Sequence, residues 1–426
     1  MRVSGQGAKE IAKKLTKRED FTPRYSYLTS VYDKKDDLID ESIVVYFQAP
    51  HSFTAEDIVE FQCHGGIVVA SIILEEVIHC GARLANPGEF SKRAFLNGRI
   101  DLCEAEAIAK LIETKSIDSA KILARQMKGE LKDFVYKIRE DLIEILAFVE
   151  VNIDYAEEDL PPDLVHQISD KLSNLSLLLK TTYDSSKKRE GLIEGFRVAI
   201  VGKPNVGKSS LLNSLLNYDR AIISEIAGTT RDTIEEEIRI GTHLIKIVDT
   251  AGIREANDDI EKIGVQRSKI AIESADIVIA LFDNSRVMDG EDELILDIIK
   301  NHSKDRHVIK VLNKIDLPKR FNSKNLDDFI QITCKKNSDL VVEKLKKILD
   351  FIGQDDSLIL TSKRQMLAVK STYEEIILSK NVLNEGELEL FAFHINEAIS
   401  SITKITKNFE RDEILDKMFG SFCLGK

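Results

Sequence analysis

Cysteine is scarce and unpaired in this chain: there are five in 426 residues, at positions 63, 80, 103, 334 and 423, with no C-x-x-C among them. An odd number at such spacings argues against a disulfide framework or a zinc site, and it fits a reducing, cytoplasmic setting. Long apolar runs are missing too. The longest, Ile67 to Leu74, falls far short of the ~20 residues a helix needs to cross a bilayer, so no membrane span is expected. The N-terminus lacks an apolar h-region with a cleavage site, and Glu10 and Glu19, set among Lys13, Lys14, Lys17 and Arg18, argue against a transit peptide. Positive charge is also not in excess. With 60 Lys+Arg against 72 Asp+Glu the net charge is −12, which excludes a protein that grips nucleic acid with its overall field. Any RNA contact would be local or lent by a partner, and clusters such as Lys187-Lys188-Arg189 read as solvated faces. No internal repeat or low-complexity tract is present.

What is present centres on Val198 to Ser210. Gly202 to Ser209 fits G-x-x-x-x-G-K-[ST], a loop whose backbone N–H groups cradle phosphates while Lys208 reaches the β and γ oxygens and Ser209 holds Mg²⁺. A β-rich run (Val198 to Val201) enters the loop and a helix-forming run (Ser210 to Leu216) leaves it, so the phosphates would meet a helix N-terminus. Two further motifs follow in order, each after a predicted strand. Ile245 to Val248 leads into Asp249-Thr250-Ala251-Gly252, where the Asp reaches Mg²⁺ through water and the Gly252 N–H faces a γ-phosphate. Val308 to Leu312 leads into Asn313-Lys314-Ile315-Asp316, in which the Asp316 carboxylate accepts from the N1–H and amino group of guanine. Thr333-Cys334-Lys335 is a looser match to the S-A-K loop that contacts the base. Ile253 stands where Ras-like proteins keep a water-orienting Gln, and an apolar side chain cannot orient water.

The remaining chain divides around this segment, and about two to four domains are expected from its length. Residues 1–97 mix β-like runs (Ser42 to Phe47, Ile58 to Gln62) with a helical run from Gly66 to Val77 and predict an α+β domain. His64, in the turn Gln62-Cys63-His64-Gly65-Gly66, reads as a structural histidine or a base, with no second metal-type ligand at a suitable spacing. From Leu102 the period becomes helical. Leu131, Phe134, Val135, Ile138, Leu142, Ile145, Leu146 and Val149 form one stripe; Pro161-Pro162 ends that helix, and Leu164, Ile168, Leu172, Leu175 and Leu179 form the next. Polar Thr181 to Glu190 reads as a linker into a nucleotide-binding domain spanning 195–354, after which helical periodicity resumes to Met418. The expected architecture is therefore multidomain, α/β and α: an N-terminal α+β domain (1–97) and an all-α domain (98–194 and 355–426) interrupted by an inserted Ras-like P-loop GTPase domain.

This nested order, together with Ile226-Ala227-Gly228-Thr229-Thr230-Arg231-Asp232, Asp249-Thr250-Ala251-Gly252-Ile253-Arg254, Pro87-Gly88-Glu89-Phe90, Arg93-Ala94-Phe95-Leu96-Asn97-Gly98 and the terminal Phe422-Cys423-Leu424-Gly425-Lys426, resembles the bacterial tRNA modification GTPase MnmE (TrmE) family. The resemblance covers nearly the whole chain. It implies a homodimer that forms a heterotetramer with the flavoprotein MnmG and modifies C5 of the wobble uridine of certain tRNAs with an aminomethyl-type group. GTP hydrolysis would drive the conformational cycle, and a 5-formyl- or methylene-tetrahydrofolate would supply the one-carbon unit, with the N-terminal domain binding folate and dimerising.

The resemblance also implies residue roles. GTP would be held by Asn205, Val206, Gly207, Lys208, Ser209 and Ser210, by Ser224, Thr229 and Thr230, by Asp249 to Gly252, by Asn313, Lys314 and Asp316, and by Thr333, Cys334 and Lys335. Mg²⁺ would bind Ser209 and Thr230, and K⁺ would bind Asn205, Ser224, Ile226 and Thr229 in place of an arginine finger; Glu261 would position water. Folate would meet Arg2 of Arg2-Val3-Ser4-Gly5, Glu60, Arg99 and Lys426. Cys423 would act in tRNA modification, either as a reactive thiolate or as a small hydrophobe anchoring the tail. Family members carry a strand and a glycine-rich turn ahead of R-[IV]-S-G, whereas this sequence begins at that motif, so Arg2 is expected at a frayed terminus. Two classes stay open: a GTPase of a tRNA-modifying complex, and a regulatory GTP switch in ribosome assembly. The Cys-x-Gly-Lys tail and the folate residues distinguish them.

Overall fold

A computed structural model of the chain describes residues 1–154, 162–218, 236–248, 269–302, 306–322, 328–334, 336–407 and 419–420. They fall into two compact units, one of Met1–Ile112, Ala124–Leu177 and Leu367–Lys426, the other of Glu113–Leu123 and Leu178–Met366.

The first unit opens with β1 (Arg2–Ser4), α1 (Ala8–Thr16), β2 (Ser26–Tyr32), β3 (Leu38–Phe47), β4 (Ile58–Gln62), α2 (Ile67–His79) and α3 (Glu89–Leu96). The strands form an antiparallel sheet in the order β1-β4-β3-β2, with Arg2 opposite Glu60, Val59 opposite Tyr46 and Val44 opposite Tyr27. Ala8, Ile11, Ala12 and Leu15 lie on one face of α1 because they recur at three and four residues. They pack with Val31, Val44, Val59, Phe61, Ile73 and Val77 into a single core.

Helices follow: α4 (Leu102–Glu113), α5 (Ile117–Met127), α6 (Glu130–Asp154), α7 (Pro162–Lys188) and α8 (Glu190–Glu194). The predicted α6 stripe is the buried one, from Leu131 through Val149, with Phe134 half-buried. The polar stretch expected as a linker is instead the last turns of α7, followed by α8. Its buried polar groups are satisfied locally and by a later segment: Ser186 Oγ donates to Thr182 O at 2.6 Å and accepts from Leu360 N at 2.9 Å, and the buried Arg189 guanidinium donates to Ser357 O at 3.0 Å. Composition marked these residues as solvated; hydrogen bonding lets helix continue through them.

The second unit holds β5 (Phe196–Val201), α9 (Lys208–Tyr218), β6 (Glu236–Ile240), β7 (His243–Val248), β8 (Ile277–Asp283), α10 (Gly290–His302), β9 (His307–Asn313), β10 (Phe329–Gln331) and α11 (Asp339–Gly353). The sheet order is β10-β9-β8-β5-β7-β6, parallel except for the β6–β7 hairpin. Every residue of β8 is buried, as expected of a central parallel strand covered on both faces. The chain then returns to the first unit in α12 (Lys363–Glu385) and α13 (Leu388–Thr403), and α13 packs along α6 through Phe391, Ile395, Ala398 and Ile402. Helices from before and after the P-loop domain thus share one core, which makes that domain an insertion.

Candidate functional site

β5 lies at the centre of its sheet, between β7 and β8, and the strand order reverses there. Open α/β sheets bind ligands in that crevice, beyond the carboxyl ends of the strands. The loop from Gly202 to Gly207 occupies this position. It approaches its neighbours too closely for side chains: a Cβ on Gly202 (φ +154°) would lie 2.4 Å from Leu281 O, and one on Gly207 (φ +109°) would lie 2.2 Å from Asn313 Nδ2. The Lys208 ammonium donates to Gly202 O at 2.7 Å and Lys203 O at 2.8 Å, and burial lowers its pKa below the ordinary value. A largely desolvated cation at a helix N-terminus suits a phosphate. Ser209 and Ser210, in the first turn of α9, are exposed, as a hydroxyl that is to meet a metal or phosphate must be.

The base-reading segments are knotted to this loop. Asn313 Nδ2 donates to Val206 O at 2.8 Å while its Oδ1 accepts from Cys334 N at 3.0 Å, so one buried amide joins the phosphate loop, β9 and the loop after β10. The Lys314 ammonium donates to Asn205 O at 2.8 Å and pairs with Asp283 at 2.6 Å. Burial works to raise the Asp283 pKa, but hydrogen bonds from Lys314 and Ser285 hold it below the ordinary value. Asp316 is exposed and accepts from Thr333 Oγ1 at 3.2 Å, which leaves its other carboxylate oxygen open to a ligand. Burial pushes the Cys334 thiol up to about 11, so it is neutral at pH 7 and serves as a small packed group. Asn205, Val206, Gly207, Lys208, Ser209, Ser210, Asn313, Lys314, Asp316, Thr333 and Cys334 are therefore brought to one end of the sheet. Ser224, Ile226, Thr229, Thr230, Asp249, Thr250, Ala251, Gly252, Glu261 and Lys335 lie outside the described residues. The sequence reading missed Asp283; its place at the end of β8, between two motif-bearing strands, was the available signal.

In the N-terminal domain Arg2 is not frayed. Arg2 lies in β1, laddered to β4, and the Met1 ammonium donates to Phe61 O at 2.7 Å. The Arg2 guanidinium meets Glu60 Oε1 through Nη2 at 2.7 Å and Nε at 2.8 Å, and lies 5.2 Å from the Phe53 ring centroid and 5.8 Å from that of Phe90. Arg99 donates to Ser52 O at 3.3 Å. Around them Glu89 accepts from Arg83 and Arg93, Arg93 also bonds Glu56, and Ser4 bonds Glu56 and Thr54. Hydrogen bonds from Arg83, together with those from Asn86 and Arg93, lower the Glu89 pKa to about 2 against burial. Phe419, buried, packs on Ala105 and 6.0 Å from the Phe95 ring. Cys423 and Lys426 lie outside the described residues. Among the described residues no cluster of metal-type ligands occurs and no helix is long and apolar enough to cross a membrane.

A P-loop GTPase domain whose phosphate loop is tied to Asn313 and Lys314, inserted into a helical domain that follows an α+β domain, defines the class: a multidomain GTP hydrolase. The model described as MnmE helical domain matches residues 102–423, and that described as GTP-binding protein TrmE N-terminus matches residues 1–99. Over the whole chain the sequence is 60% identical to the tRNA modification GTPase MnmE of Sulfurimonas denitrificans and 58% identical to that of Aliarcobacter butzleri, covering 96% and 95% of those proteins. The chain belongs to the MnmE family.

Proposed function

We propose that this GTPase acts in tRNA modification, coupling GTP hydrolysis to the installation of an aminomethyl-type group at C5 of the wobble uridine together with the flavoprotein MnmG, with a tetrahydrofolate derivative as one-carbon donor. The observation that carries the nucleotide half of this reading is the Asn313 amide, which ties the phosphate loop and the base loop into one rigid cradle. Lys208 neutralises the β and γ phosphates, Asp316 reads guanine, and Ser209 with Thr230 holds Mg²⁺. Ser209, an exposed residue in the first turn of α9 next to Lys208 in sequence, is an oxygen ligand of the type that metal takes. Asn205, Ser224, Ile226 and Thr229 would hold K⁺, which would supply positive charge against the transferring phosphoryl group, and Glu261 would position the attacking water.

For the N-terminal domain, Arg2 pairs with Glu60, and its guanidinium lies 5.2 and 5.8 Å from the Phe53 and Phe90 ring centroids. Taken alone this is an ordinary ion pair. It also suits a pterin, whose aminopyrimidine edge would take Glu60 while Arg2 and Arg99 receive glutamyl carboxylates. Phe419 supports a role for the tail that follows it in sequence, because its ring lies 6.0 Å from that of Phe95, four positions before Arg99 in the chain. Cys423 and Lys426 then act at the folate site of a cytoplasmic homodimer. Mass spectrometry of wobble uridines in tRNA from cells lacking this protein tests the proposal. Loss of the C5 group is expected, and an unchanged modification profile would return the chain to the regulatory switches.

A further inference from the structure

Lys203, the second residue of the phosphate loop, takes no part in the contacts described above except through its carbonyl. Its side chain is 9% exposed, and its ammonium lies 2.7 Å from both Asp289 Oδ2 and Asp292 Oδ2. Those two carboxylates form the N-terminal cap of α10. Asp289 Oδ1 accepts from Asp292 N at 3.3 Å and from Glu291 N at 3.1 Å, while Asp292 Oδ2 accepts from Asp289 N at 3.3 Å, a reciprocal capping box. The carbonyl of the same Lys203 is one of the two oxygens that hold the Lys208 ammonium. One residue therefore joins the end of α10 to the cation that meets phosphate. A buried ion pair contributes little net stability compared with apolar packing of the same volume, but it fixes geometry, since breaking it leaves a charge without a partner.

We propose that Lys203 is a positioning residue for the GTPase reaction, anchoring the phosphate loop to the cap of α10 so that the Lys203 carbonyl holds Lys208 aimed at the β and γ phosphates. The inference rests on reading Lys208 as the phosphate-binding lysine. It gives α10 a role in orienting the charge that stabilises the transferring phosphoryl group, through contacts separate from those that Asn313 and Lys314 make with the same loop.

The test compares Lys203→Met, Lys203→Arg and the pair Asp289→Asn with Asp292→Asn in the full-length chain. The readouts are GTP turnover, affinity for GDP and for a non-hydrolysable GTP analogue, and the ratio of GTP to ATP affinity. Lys203→Met is expected to lower kcat roughly ten- to a hundredfold, the range for a catalytic contact misplaced by about 1 Å. The GTP-to-ATP ratio should stay unchanged, and Lys203→Arg should restore most of the rate. Wild-type turnover in Lys203→Met, or a loss in Lys203→Arg as large as in Lys203→Met, overturns the clamp. Should Lys203→Met fail to fold, the Asp289 and Asp292 variants carry the same expectation and the same overturning result. Lys208→Met is the control for the reading beneath: it should abolish nucleotide binding, and binding retained there overturns the phosphate-lysine assignment itself.

Discussion

Asp316 is exposed and, among the described residues, is braced on one carboxylate oxygen, by Thr333 Oγ1 at 3.2 Å. Replacing that carboxylate with an amide leaves base donors facing donors, which costs about 1–3 kcal/mol. Asp316→Asn is expected to lose its preference for GTP over ATP in competition binding while remaining folded. Ile253 cannot orient water, so with Glu261 in its proposed role Glu261→Ala should bind GTP normally and hydrolyse it roughly 10²- to 10⁴-fold more slowly, and Na⁺ should replace the proposed K⁺ poorly. Glu89 carries a pH dependence whose sign follows from its environment. Hydrogen bonds from Arg83 lower its pKa from the ordinary 4.5 to about 2, so the folded state prefers it ionised. Its contribution to stability is complete above pH 4.5 and is lost as pH falls toward 2. In thermal unfolding, Glu89→Gln should be less stable than wild type at pH 7, and the gap should close progressively below pH 4.5.

Between elements, the arrangement depends on a few joints that bring distant segments together. Leu102 N and the Cys103 thiol at the start of α4 donate to Thr406 O and Ile405 O, at 3.4 and 3.0 Å, just beyond α13. Phe419 then packs on Ala105 and Phe95. Phe419→Ala removes a fully buried ring, a change that in a core costs about 3–5 kcal/mol. Because the lost packing lies in the first unit and the nucleotide cradle in the second, GTP hydrolysis should keep its rate. Modification of tRNA should fall, as should the stability of the α4 region measured by hydrogen exchange. Equal loss of both activities would mean that the tail supports the whole fold.

For the molecule as a whole, a net charge of −12 sets how it meets RNA. Few phosphates can be neutralised by such a surface, so binding of tRNA by this chain alone should be weak, and the slope of log K against log salt should be shallow. A partner with a basic surface should steepen that slope. Titration of tRNA binding at two or more salt concentrations, with and without the proposed flavoprotein partner, reads this directly.

The amino-acid sequence by itself determined the nested order of domains, the strand ends that carry the nucleotide motifs and the α6 stripe from Leu131 to Val149. Each of these depends on local periodicity or on backbone demands made by a few neighbouring residues. Tertiary structure alone decided what joins across the chain. The Arg2 pairing with Glu60 turned an expected frayed end into a ladder strand, and Ser186 and Arg189 found partners near residues 355–360 that let α7 continue where composition suggested a linker. Asp283 and Lys203 became parts of the site only when β8 and α10 were laid against the phosphate loop. A side chain's partner tens of residues away leaves no periodic trace: the energy of an ion pair or a buried hydrogen bond depends on distances that only the packed chain sets.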